Sequence, residues 1–213
     1  MKSTTMKPTA VKLAAKTVGA LLICSLFLFS CASNPQVSRV DAGTQTDLSG
    51  YWNDTDVRIV CNDLIKACLD SPRVIQEIAQ KGRLPVILVG NFRNESDEHI
   101  DTAIISRTME IAIFDSGRAN FVAGGDTRAE LRTERLDQQG NASEATASAL
   151  GYETGADFML TGTVRTIIDR AGGTSTRTYF VSAELTNIET NARLWMAQNS
   201  EIKKIIQRPR NRA

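Results

Sequence analysis

The chain has 213 residues, with 25 basic and 24 acidic side chains and a formal net charge of +1. That balance excludes a partner recognised through a strong basic surplus, nucleic acid above all. Hydrophobic residues make up 42% and charged residues 23%, the composition of an ordinary globular domain.

In chain order, Lys2, Lys7, Lys12 and Lys16 precede an apolar run from Val18 to Ser30. About 13 apolar residues are too few for a permanent membrane span, which needs roughly 20. The segment 1–30 therefore reads as a secretory signal. Its end, Leu28-Phe29-Ser30-Cys31, resembles a bacterial lipobox. That resemblance implies cleavage between Ser30 and Cys31 and acylation of the Cys31 thiol. Each buried CH₂ of acyl chain contributes about 0.8 kcal/mol, so several chains hold a soluble body firmly. Ala32 follows, where Asp would resemble an inner-membrane retention signal. The implied location is the outer membrane, on its periplasmic face.

Residues 32–48 are small and polar and read as a tether with Cys31 at its head. As a flexible coil they reach about 23 Å r.m.s. and roughly 58 Å at full stretch.

The globular domain is expected over 49–208. "SGYWNDTDVR" (49–58) reads as a helix entry. Apolar residues recur at Val57, Val60, Cys61, Leu64, Ile65 and Cys68, the helical spacing. Asn53 is the expected N-cap, Asp54 and Asp56 favour the positive end of the dipole, and Trp52 with Val57 makes a hydrophobic staple. Cys61 and Cys68 lie about 10 Å apart along such a helix, too far for a mutual disulfide. They read as core thiols.

A second helix is punctuated by Ser71, Pro72 and Gly82, with Val74, Ile75 and Ile78 as its stripe. "LPVILVGNF" (84–92) reads as a buried strand. A helix capped by Ser96 or Asp97 is expected to run to about Ser116, with Ile100, Ile104, Thr108 and Ile111 on one side. "FVAG" (121–124) suggests a short strand, Asp126 to about Gln138 a polar helix, and Ser143 to about Gly155 another.

The last third changes period. Strands are expected over 157–169, 177–188 and 193–206, with "DRAGGTSTR" as the turn between the first two. Tyr179, Val181, Ala183 and Leu185 alternate with Phe180, Ser182, Glu184 and Thr186, the period of a strand. Helices followed by an antiparallel meander predict an α/β (α+β) layered domain with a mixed sheet. Residues 209–213 are left as a basic tail.

Chemistry is sparse. His99 is the single histidine, which excludes multi-histidine metal sites. Asp97, Glu98, His99 and Asp101 could hold a hard cation, but are better read as a charged first helical turn. Ser200-Glu201-Ile202-Lys203 matches S-x-x-K, yet it falls on a strand, where Ser and Lys face opposite sides, and no K-T-G accompanies it. Neither a phosphate-binding loop nor a nucleophile elbow occurs. No catalytic residue, metal or cofactor is expected. Lys203, Lys204, Arg208, Arg210 and Arg212 read as a solvated basic end.

"LSGYWNDTDVR", "LPVILVGNFRNESDEHIDT" and "GADFMLTGTV" resemble the LpoB family of penicillin-binding protein activators. "GADFMLTG" is also similar, more loosely, to curli-secretion (CsgG-like) and TolB N-terminal domains. The resemblance implies an outer-membrane lipoprotein, monomeric and without enzymatic activity, that stimulates a class A penicillin-binding protein allosterically. It also implies a compact sheet flanked by helices. Well-known members carry a long Pro-rich tether, whereas this one is short with one proline, Pro35. The alternative class is a structural subunit of a curli-type pore, which needs long hairpins to line a barrel. Tyr and Arg side chains commonly anchor interfaces, so Arg93, Tyr152, Arg177 and Tyr179, taken as exposed, are candidate partner contacts.

Overall fold

The computed structural model describes residues 38–41, 43–148, 151 and 153–207. The expected signal segment, Ser30, Cys31, Tyr152 and the tail from 208 onward lie outside the described residues. The chain divides into two units, Met1–Ala42 and Gly43–Ala213. In the first, residues 38–41 are described and carry no helix or strand. Every element below belongs to the second.

Helix α1 (Asp54–Leu69) starts as its sequence dictates. The Asn53 side chain accepts the Asp56 N–H at 3.1 Å, and the Asp56 carboxylate accepts the Asn53 N–H at 3.0 Å. That reciprocal pair is a capping box. Val57, Val60, Cys61, Leu64, Ile65 and Cys68 are all buried, the expected face. Helix α2 (Pro72–Lys81) ends at Gly82, whose φ of 64° is the left-handed cap that glycine adopts without strain. Its Val74 is buried but Ile75 is exposed.

Strand β1 (Val86–Asn94) follows, then helix α3 (Thr102–Asp115), strand β2 (Asn120–Phe121) and helix α4 (Gly125–Asn141). Four strands close the chain: β3 (Phe158–Ala171), β4 (Thr174–Asn187), β5 (Arg193–Asn199) and β6 (Lys203–Gln207). They form an open six-stranded sheet, β2-β1-β3-β4-β5, with β6 also beside β4. β1 is parallel to β2 and β3, and the other pairings are antiparallel. The mixed, layered α+β fold is the one expected.

One sheet face is the core. Tyr179, Val181, Ala183 and Leu185 of β4 are buried and stand opposite Thr166, Val164, Gly162 and Leu160 of β3. Helices α1 and α3 pack on each other and on the sheet, together covering this face with α2. α4 buries none of its described residues. The period-2 expectation for β4 holds from Arg177 to Asn187, whereas Thr174, Ser175 and Thr176 are all half-buried.

Several expectations need correction. Helix α3 begins at Thr102 under an Asp101 cap (Oδ1 to the Ala103 N–H, 3.0 Å), not at Ser96 or Asp97. Asn94 holds the preceding segment in a turn, its Oδ1 accepting both the N–H (3.0 Å) and hydroxyl (2.6 Å) of Ser96. α3 also buries Ile105, Met109 and Ile113, leaving Ile104 and Ile111 exposed. The helix carries two apolar stripes, and the contact with α1 and β1 selects the other one.

Among the described residues of 143–155 there is a turn at Ser143–Thr146 and no helix. The β3–β4 turn is only Gly172-Gly173, with φ of 56° and 84°, the left-handed pair that a tight hairpin requires. "DRA" and "TSTR" are strand. The expected 193–206 strand is interrupted at 200–202: Thr178 pairs with Lys203 and Val181 with Asn199, so three residues oppose two. The Tyr179 N–H still donates to the Ile202 carbonyl at 2.9 Å across that bulge.

Candidate functional site

Two of the marked motifs, "SGYWND" and "NESDEH", meet at one end of β4. The Trp52 N–H donates to Glu98 Oε2 at 3.0 Å. Glu98 Oε1 accepts from the Arg177 guanidinium and from the Tyr179 hydroxyl. Arg177 reaches Asp97 Oδ2 at 2.9 Å, and the Thr166 hydroxyl donates to Asp97 Oδ1 at 2.6 Å. The Tyr51 ring lies 4.8 Å from the Arg177 guanidinium, and the Trp52 ring 5.1 Å from that of Tyr179. Arg177, Glu98 and Tyr179 are buried, so the cluster works at low dielectric.

Lys204 completes the arrangement on the neighbouring strand. Its Nζ contacts Asp56 Oδ2 at 2.6 Å, Asp47 Oδ1 at 3.0 Å and the Tyr51 carbonyl at 2.7 Å. Asn53 Nδ2 adds a bond to Asp47 at 2.9 Å. Asp47 and Gly50 flank the expected end of the tether, and both are held: a Cβ on Gly50 would run into Ile206. The stretch 46–53 is thus a strap fastened across β4 and β6. Lys204 is a buried partner of α1, not part of a solvated basic end.

Asp97, Glu98 and Asp101 are accordingly not a cation site or a first helical turn: the first two hold Arg177, and the third caps α3. Among the described residues no group of three His, Cys, Asp or Glu side chains could hold a metal. Burial pushes the Cys61 and Cys68 thiols up to about 12, far from nucleophilic at neutral pH. Ser200 lies in the bulge and Lys203 opens β6 just after it, both exposed.

The candidate contact residues part company. Arg177 and Tyr179 are buried, because their polar ends are consumed by Glu98 and Asp97 while the Tyr179 ring fills the core. The exposure that made them candidates is not theirs. Arg93 is exposed, 3.7 Å from Glu95. Tyr152 lies outside the described residues. The sheet face away from the helices presents Met159, Arg165, Phe180, Ser182, Glu184 and Met196 among threonines.

The cluster sets a pH dependence. The Thr166 hydrogen bond, with the charge of Arg177, outweighs desolvation and holds the Asp97 carboxyl below its ordinary 3.8. Asp157 is likewise lowered: burial opposes, but Arg83, the Val86 N–H and Lys81 prevail. Their stabilisation is complete above 3.8 and is lost as pH falls through the lower folded values. Burial, then the Glu98 bond, pushes Tyr179 above its ordinary 10.0, so its contribution is complete below 10 and lost at higher pH. Burial also raises Asp56 against the pull of Lys204, which acts the opposite way to Asp97 and softens the acid limb. A urea-midpoint series is expected to show a plateau falling away on both sides. A midpoint that climbs as pH falls below about 3.8, where Asp56 is already protonated in both states, contradicts the assignment.

Comparison with known proteins places these features. A family described as "Peptidoglycan-synthase activator LpoB" matches residues 56–201. Among solved structures, the LpoB C-terminal domain from Escherichia coli is 14% identical, with 67% of this chain and 96% of that chain covered and a TM-score of 0.43. The NMR structure of E. coli LpoB is also 14% identical, covering 81% and 85%, TM-score 0.38. Lipoprotein GNA1162 from Neisseria meningitidis is 22% identical, covering 56% and 83%, TM-score 0.37. No curated protein sequence matches the chain. The family match takes in α1 from Asp56 on, the Asp97–Glu98 loop, strands β1 to β5 and Arg177, and on that extent the chain belongs to the LpoB family of peptidoglycan-synthase activators.

Proposed function

We propose that this protein is an outer-membrane lipoprotein, anchored through Cys31, that binds a class A penicillin-binding protein and activates peptidoglycan synthesis. The observation that carries this is the family match over residues 56–201. The lipobox at 28–31 supports the anchor, and the cluster around Arg177 supports a body that acts by contact. Its acidic and basic side chains are spent on one another, not turned toward a substrate.

Activation by binding requires tighter binding to the active state of the synthase than to the inactive one. A tenfold rise in the active population corresponds to about 1.4 kcal/mol of differential affinity. The short tether sets a geometric condition: with 46–53 fastened to the body, residues 32–45 remain, and the partner's periplasmic part must come within roughly 48 Å of the outer-membrane surface, plus the body's own length.

The test has two arms. The full-length lipoprotein in detergent, added to a purified class A synthase, is expected to raise glycan polymerisation or cross-linking severalfold at saturation. In cells, Cys31→Ser is expected to move the protein from the outer-membrane fraction to the soluble periplasmic fraction. No stimulation and no co-purification with any class A synthase would overturn the activator role. A Cys31→Ser protein that still fractionates with the outer membrane would overturn the anchor.

A further inference from the structure

We infer that the first part of the strap, residues 46–51, is a reserve of tether that peels from the body under tension and stops at Trp52. Tension arises when the body is bound to the synthase while Cys31 is held in the outer membrane. That use of the strap rests on the activator role above, whereas the release itself does not. Six residues at full stretch add about 20 Å, taking the reach from roughly 48 Å to roughly 68 Å. A more distant partner is then met without unfolding the body.

Lys204, Tyr179, Arg177 and Asn53 grip 46–51, and each has a second partner in the body. Lys204 holds Asp47 at 3.0 Å and the Tyr51 carbonyl at 2.7 Å, and it keeps Asp56 at 2.6 Å when both leave. The Tyr179 hydroxyl reaches the Gly50 carbonyl at 3.3 Å and keeps Glu98. Arg177 loses the Tyr51 ring, 4.8 Å away, and keeps Asp97 and Glu98. Asn53 releases Thr46 and Asp47 from Nδ2, while its Oδ1 still caps α1. Peeling therefore strands none of these groups, and a stranded charge is what makes breaking a buried pair costly.

The strap's own side chains are open to water. Leu48 is 93% exposed, Tyr51 58% and the Asp47 carboxylate 46%, so water replaces what each of them loses. No helix or strand runs through 46–51, so its bonds break one after another from the N-terminal side. Trp52 is different. Its ring packs against the core and lies 5.1 Å from that of Tyr179, and its N–H is bonded to buried Glu98. Asn53 behind it closes the capping box of α1. Those contacts come away only with the helix and the core, which sets the stop.

The test pulls single molecules of the full-length lipoprotein by their two ends. Wild type is expected to give an early step of up to about 20 Å before the body unfolds. Gly50→Cys with Ile206→Cys supplies a lock: a Cβ on Gly50 would lie 3.7 Å from that of Ile206, within the span of a disulfide. Oxidised, this variant is expected to lose the step, and reduced, to regain it; Cys61 and Cys68 are buried and take no part. Asp47→Asn weakens the Lys204 contact, spares Asp56 and is expected to open the strap at least threefold faster at a given force. Wild type that unfolds in one event with no earlier step overturns the inference, as does a step that survives oxidation of the lock. In detergent, where distance sets no constraint, the locked variant is expected to stimulate a purified class A synthase within twofold of wild type, oxidised or reduced. A tenfold change on oxidation would make the strap a regulatory contact and overturn its role as reach. Wild-type protein that shows the step but stimulates no synthase overturns the activator role and leaves the release standing.

Discussion

Arg177→Ala lowers stability by about 3–5 kcal/mol, the range for stripping one partner from a buried charge pair. Arg177 is the cation that neutralises Glu98, whose side chain is 7% exposed. Alanine leaves that carboxylate with the Trp52 N–H and the Tyr179 hydroxyl but no counter-charge. Asp97, 44% exposed, can recover water and adds little. At about 2–4 °C per kcal/mol for a body of this size, the thermal midpoint is expected to fall by roughly 10 °C. Asp97→Asn is the contrasting variant, expected to cost less than about 1 kcal/mol. Adding Glu98→Gln to Arg177→Ala should restore part of the loss, because the stranded charge disappears. Calorimetry of the wild type and these three variants settles it: a change below about 1 kcal/mol for Arg177→Ala would mean the cluster behaves as an exposed ion pair.

Gly162→Ala is expected to destabilise by about 3 kcal/mol through overpacking. Gly162 lies in β3 between Phe92 of the parallel neighbour β1 and Ala183 of the antiparallel neighbour β4. A Cβ there would collide with the Phe92 ring and with the backbone carbonyl of Ser182. The ring could rotate away, but the carbonyl belongs to β4 and cannot move without straining the sheet ladder. Phe92→Leu in the same chain should therefore rescue only part of the loss. Full rescue would show that the ring was the whole obstacle, and an unchanged urea midpoint for Gly162→Ala alone would show that β3 and β4 can separate freely.

Legibility differed from element to element. The start of α1 was written locally: Asn53, Asp56 and the apolar positions from Val57 to Cys68 all lie within one helix, so periodicity and capping chemistry sufficed. β4 was equally legible, since one face is core and the other is not. α3 was legible as a helix but not in its orientation. Its apolar residues satisfy two stripes, and nothing within 102–115 says which meets α1 and β1. The loop at 95–100 read as helix because Ser96 and its acids mimic a first turn, while their true partners, Thr166 and Arg177, lie some 70 to 80 residues away. The interruption at 200–202 was invisible for the same reason, being a mismatch with β4 and not a property of the segment.

By itself the sequence determined the signals that act through near neighbours: helix caps, strand periods, a two-glycine turn, and the motif blocks that mark the family. Only the tertiary structure decided that "SGYWND" and "NESDEH" close on one arginine, that Lys204 holds the strap, and that α3 turns Ile104 and Ile111 outward. Short-range hydrogen bonding and alternation are encoded residue by residue, whereas the pairing of distant charges and the choice between two apolar faces depend on which surfaces the folded chain brings together.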